Sequence, residues 1–148
     1  MRRDIEAGRY PGQRKDPANS RAIIEGLGNC YYPMIDSLDA PAASGHTERW
    51  VEGVNIAFGF VESPPQHVEE SKRAPHEMFV YVIRGGLQAR IGGEKRRVGP
   101  GDVLHVPRGK RYRFEVMKRE PVRFAAVRST AKLEETIRKR GAADNWRG

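Results

Sequence analysis

A single cysteine among 148 residues sets the first limit. Cys30 has no intrachain partner, so no disulfide can staple the fold and thiolate metal clusters are excluded, as suits a reducing compartment. Long apolar runs are also missing. None approaches the length of a membrane span, and the opening MRRDIEAGRYPGQRKD lacks the apolar centre of a secretory signal, so a cytoplasmic chain with no membrane partner is expected. Acidic residues are scarce where basic ones crowd. From Arg84 to Arg119 eleven Lys or Arg stand against Glu94, Asp102 and Glu115, an excess equal to the whole net charge of +8. Strand alternation would turn Arg111 and Arg113 to water and Tyr112 and Phe114 inward, so this excess reads as a solvated face and nucleic acid is not the expected partner.

What the chain does have is alternation and turn chemistry. Phe79–Ile83, Leu87–Ile91 and Val103–Val106 alternate or run apolar, separated by Gly92-Gly93 and by the corner Gly99-Pro100-Gly101-Asp102, as successive hairpins require. Arg49–Val61 reads as a half-buried strand or hairpin, Tyr31–Leu38 as an edge strand, Ser63–Pro75 as a proline-bounded loop, and Val122–Val127 as a last strand. Residues 1–30 form a basic arm with a short helix through Ser20, Ile23, Ile24 and Leu27, ending near Gly28. Residues 31–128 form a barrel. Residues 129–148 form a helix from Ala131 to Arg140, capped by Ser129 or Thr130 and stopped by Gly141, and a tail whose Trp146 can bury against a neighbour.

The stretches YVIRGGLQARIGGE (81–94) and PGDVLHVPRGKRYRF (100–114) resemble the two motifs of the cupin family. The resemblance implies a mainly β, single-domain, jelly-roll-like antiparallel barrel with a short N-terminal helical arm and a C-terminal helix. Metal-binding cupins hold a divalent transition metal with histidines and a carboxylate or amide at the barrel mouth. Laid on this sequence, their ligand positions fall on Lys72, Ala74, Met78 and Tyr112, none of them a normal ligand for such an ion. No cofactor is therefore expected; a divalent transition metal, should one bind, would need relocated ligands such as His67 and His76 with a loop carboxylate, Glu69 or Glu70.

His76 shares strand parity with Met78, Val80 and Val82 and should face the barrel mouth, as should Tyr112 and Phe114. The leading expectation is a small organic ligand held without metal, in a homodimer. His76 would be the proton acceptor of an isomerase- or epimerase-like reaction and Tyr112 the donor. Met78, Val80, Val82 and Phe114 would line the pocket, and Lys72 or Arg73 would attract an anionic group. Two alternatives stay open: a non-catalytic sensor or partner-binding module using the basic face, and a metal-dependent oxygenase or isomerase. Glu77 and His105 read as structural, and His67 and His46 as loop histidines.

Overall fold

The structure, a computed structural model, describes residues 13–16, 21–25, 30–33, 35 and 45–145. Its strands are β1 (Gln13–Asp16), β2 (Arg21–Glu25), β3 (Thr47–Glu52), β4 (Ile56–Ser63), β5 (Val68–Ser71), β6 (Met78–Arg84), β7 (Leu87–Ile91), β8 (Glu94–Val98), β9 (Val103–Val106), β10 (Tyr112–Val116) and β11 (Val122–Ser129), followed by helix α1 (Ala131–Asn145). They build a seven-stranded sheet in the order β1-β2-β3-β4-β11-β6-β9 and a four-stranded sheet in the order β5-β10-β7-β8. All neighbours are antiparallel except β2 and β3.

Alternation creates the core. Inward positions of the large sheet supply Trp50, Ala57, Val61, Val80, Val82, Leu104, Val106, Val122, Phe124 and Ala126, and the small sheet answers with Leu87, Ala89, Phe114 and Val116. Gly59 lies opposite Trp50 on β3, and a Cβ there would come within 2.5 Å of the indole, so this strand position has to be glycine for the ring to lie across it. The second motif's hairpins fall where the sequence puts them.

Four local expectations are corrected. Arg21–Glu25 is a strand, not part of a helix: Ile24 is wholly buried and the segment pairs in parallel with β3, so tertiary pairing overrides the helical spacing. Ser20, Leu27, Gly28 and Trp146 lie outside the described residues. Residues 31–33 and 35 are not strand, and Pro33, which has no amide hydrogen to give a ladder, sits in a turn. The expected loop 63–75 contains β5, whose Glu69 and Glu70 pair with Phe114 and Arg113 of β10. Helix α1 runs through Gly141 to Asn145. Its start is as expected: the Leu133 amide donates to Thr130 Oγ1 at 3.2 Å, and that hydroxyl donates to the Val54 carbonyl at 2.5 Å. Among the described residues no helix is long and apolar enough to cross a membrane.

Candidate functional site

Between the sheets, at one end, lies a cavity of about 230 Å³ walled by Trp50, Met78, Tyr112, Phe114 and Phe124 and carrying Glu48, Glu69, His76 and Arg128 as its polar groups. A second, more open cavity of about 440 Å³ lies between the β3–β4 turn and the start of α1 and shares His76 and Arg128 with the first.

His76 is held from outside the barrel. Its Nδ1 lies 3.0 Å from Glu134 Oε1, which also accepts a 2.8 Å hydrogen bond from Ser129 Oγ. Ser129 is in turn tied to β6, because the Glu77 amide donates to its hydroxyl at 3.1 Å and its own amide donates to the Glu77 carbonyl at 3.0 Å. A carboxylate on Nδ1 selects the tautomer that leaves Nε2 as an acceptor, and Nε2 has no hydrogen-bond partner among the described residues. The Glu77 side chain points away, 2.9 Å from His105 Nε2, in keeping with structural roles for both.

Tyr112 is half-buried opposite. Burial, followed by the Glu69 and Glu48 carboxylates, raises its phenol to about 12, against a smaller lowering by Arg128, so it remains a protonated donor at neutral pH. Glu48, itself buried, accepts from Trp50 Nε1 at 2.8 Å and meets His46 Nε2 at 3.0 Å. The Arg128 guanidinium lies 4.0 Å from the centre of the Trp50 ring, a cation–π distance.

Of the residues named from sequence, His76, Met78, Tyr112 and Phe114 line the smaller cavity together. Val80 and Val82 are fully buried in the core and are not among its lining residues. Lys72 and Arg73 are exposed and line neither cavity; Ser71 Oγ bonds both the amide and the carbonyl of Arg73, turning the chain outward after β5. The cation at the cavity is Arg128 instead. Sequence reading missed Glu48, Arg128 and Glu134 at the cavity, took Trp50 only as a strand residue, and offered Glu69 only as one of two loop carboxylates beside His67. Parity could have found Glu48 beside Trp50, and Arg128 two places beyond Ala126, had β11 been extended past Val127. Glu69 was hidden by reading β5 as loop, and Glu134 by a contact 58 residues apart.

The usual cupin ligand positions offer an ammonium, a methyl group, a thioether and a phenol, which do not fit a divalent transition metal. Elsewhere, the donor atoms of His46, His67 and Glu69 lie within 4.8 Å of one another; His76 is not part of this group, so the pairing of His67 with His76 is replaced. The two imidazoles are stacked at 4.4 Å and 6°, which leaves their in-plane lone pairs parallel, and His46 spends Nδ1 on Ser63 Oγ at 2.7 Å and Nε2 on Glu48. Both rings would have to turn to share one ion. Burial, then the neighbouring His46, lowers the His67 pKa against the opposing pull of Glu48, which favours the neutral form of the His67 imidazole.

Residues 59–128 match the family model described as "Cupin domain". The tetracenomycin polyketide synthase protein TcmJ of Streptomyces glaucescens is 29% identical over 87 residues, 59% of this chain and 54% of that protein, so the chain spans about half the length of this relative. Among solved structures, the Schizosaccharomyces pombe Cnp3 cupin domain superposes with a TM-score of 0.54 at 23% identity, over 64% of this chain and 69% of that one. The polyketide cyclase RemF of Streptomyces resistomycificus gives 0.52 at 23%, over 60% and 68%. KdgF of Halomonas sp. gives 0.54 at 20%, over 60% and 82%. At these identities the structures speak for the fold alone; with the family-model match across β4 to β11, they show that the barrel of this chain is similar to cupins in fold.

Proposed function

We propose that the barrel cavity binds a small oxygenated organic molecule and moves a proton on it without a metal ion. The observation that carries this reading is that His76, oriented by Glu134, and the neutral phenol of Tyr112 line one cavity with aromatic walls. At about 230 Å³ the cavity is smaller than the ~300–1,000 Å³ of drug-sized sites, which favours a ligand of one ring or a short chain. Arg128 supplies attraction for an anionic or carbonyl oxygen, and the aromatic walls suit a planar portion. His76 Nε2 would accept a proton from a carbon next to a carbonyl while Tyr112 donates one to the carbonyl oxygen, giving an enol; return of the His76 proton to another carbon or face, with the enol hydroxyl giving its proton back to Tyr112, completes an isomerisation or epimerisation. Similarity to a polyketide synthase protein, over about half of its length, and to the fold of a polyketide cyclase supports a polyketide-type compound as one candidate in this ligand class.

Mass spectrometry of small molecules extracted from the purified protein tests the site. A compound retained by the wild type and depleted in Tyr112→Phe is expected; equal retention by both removes Tyr112 from the pocket. Incubating that compound with the enzyme in deuterated water tests the chemistry: label should enter with the wild type and not with His76→Gln, and label entering equally with both sinks the acid–base reading.

A second reading, in which a divalent transition metal is bound, is favoured by the convergence of His46, His67 and Glu69. Metal analysis of protein purified without a chelator or a histidine tag decides it. Stoichiometric metal that disappears in His67→Ala would establish the site, whereas metal-free protein would dismiss it.

A further inference from the structure

Folding gathers the cations crowded between Arg84 and Arg119. Four of them share the outer face of the small sheet, where Arg113 lies opposite Arg90, Arg90 lies opposite Lys95, and Arg97 lies opposite Gln88. All four are exposed. Like charges directly opposite one another on neighbouring strands repel, so the row of Arg113, Arg90 and Lys95 stands at a cost that an anion laid across it would relieve.

Most of these cations have no anionic partner. Arg113 reaches Glu70 of β5 at 3.0 Å. The side chains of Arg90, Lys95 and Arg97, and those of Lys118 and Arg119 nearby, make no ion pair or hydrogen bond among the described residues. Lys118 and Arg119 belong to the connection from β10 to β11, and with Lys95 and Arg97 they line a cleft of about 600 Å³. Met117 gives this cleft an apolar surface. Its amide donates to the Gly86 carbonyl at 3.3 Å, and its Cγ lies 3.3 Å from where a Cβ on Gly86 would stand, so the thioether chain is seated against the start of β7. Glu115 and Glu120 are the carboxylates of the same cleft.

We propose that the outer face of the small sheet and this cleft dock an extended acidic segment of another protein, with its carboxylates on Lys95 and Arg97 and an apolar side chain on Met117. Charge complementarity supplies the attraction, and clustered arginines are a recurring reader of acidic motifs. Spacing supplies the extended form: Lys95 and Arg97 are alternate residues of one strand, about 6.8 Å apart at ~3.4 Å per residue, the same repeat at which an extended partner presents side chains to one side. Methionine suits the apolar contact because its unbranched chain adapts to the shape of what it meets. Nucleic acid fits this face less well. A continuous phosphate backbone would run past Glu115 and Glu120, and the outward residues of β7, β8 and β10 include no aromatic ring on which bases could stack. A polypeptide can set a neutral or basic residue opposite each carboxylate.

Fluorescence anisotropy of the full chain with a labelled synthetic peptide tests this; the peptide alternates glutamate with serine and carries one leucine after its third glutamate. The wild type should bind it, and binding should weaken as salt is raised through about 0.1 M, where exposed charges are screened beyond ~10 Å. Arg97→Glu should weaken binding about tenfold, since it removes one exposed pair and adds a repulsion. Arg138→Glu, which makes the same change of net charge on α1, should leave it unchanged. On the wild-type protein, a peptide with glutamine in place of glutamate should not bind, and one with serine in place of leucine should bind about fivefold more weakly, which answers the question whatever a variant does to the fold. Equal binding by the Arg97→Glu and Arg138→Glu proteins, equal binding of the glutamine peptide, or no binding at millimolar peptide would each overturn the proposal. Duplex DNA that displaces the peptide at equal concentration, and is itself weakened by Arg97→Glu, would give the face to nucleic acid and overturn it as well.

Discussion

At Tyr112 one hydroxyl serves two ends. Its ring packs against Phe114, centroids 4.9 Å apart, while its O–H is the neutral donor proposed for the cavity. Tyr112→Phe should leave the fold intact and weaken ligand binding by roughly 0.5–1.5 kcal/mol, read by calorimetry with the extracted compound. The same hydroxyl has a pH signature. Because the fold raises its pKa from 10.0 to about 12, the folded state holds its proton longer than the unfolded chain does. Its contribution to stability is whole below pH 10 and is lost as the pH climbs from 10 toward about 12. Urea unfolding at stepped alkaline pH should show a decline in the wild type that is smaller in Tyr112→Phe; identical profiles would mean the phenol is not desolvated. Glu48 belongs to the same scale. Glu48→Leu would leave the buried Trp50 N–H without its acceptor, at a cost of about 1–3 kcal/mol.

Elements position these residues, and two of them do so through a single contact. β3 and β4 bring Trp50 across Gly59, and the indole in turn carries Arg128 on its face and Glu48 on its nitrogen. Gly59→Ala, with its new methyl at 2.5 Å from the ring, should destabilise by about 1–3 kcal/mol, the usual cost of overpacking, and displace Arg128 from the cavity. A variant of unchanged melting temperature and ligand affinity would show that the ring has room to move. Helix α1 depends on Thr130 for its start, and Thr130→Ala should cost about 1 kcal/mol. It should also loosen Glu134 and with it the orientation of His76, so an isomerisation assay should lose turnover more than affinity. These elements differ in how openly the sequence announces them. The hairpins from β6 to β10 are written in glycine turns and period-two alternation. β5 is not, because its four residues, VEES, carry too little apolar signal to outvote the prolines around them. β2 has helical spacing and becomes a strand because β3 offers it an edge.

For the whole molecule, the mainly β fold demands a far-ultraviolet circular dichroism spectrum dominated by strand, with a minor contribution from α1; a helical spectrum would contradict it. By itself the sequence determined the barrel with its likeness to cupins, the absence of the usual metal ligands at the motif positions, and the inward parity of Met78, Tyr112 and Phe114, because each depends on local chemistry: turn residues, period two, and motif spacing; His76 lies in a bend before β6, where parity does not reach. Only the tertiary structure decided that Glu134 reaches His76, that Arg128 and not Lys72 or Arg73 faces the cavity, and that His46 stacks on His67. Those contacts join residues from different strands, loops and the helix. No local pattern encodes them, since they come into being only when the two sheets close on one another and α1 docks at the mouth.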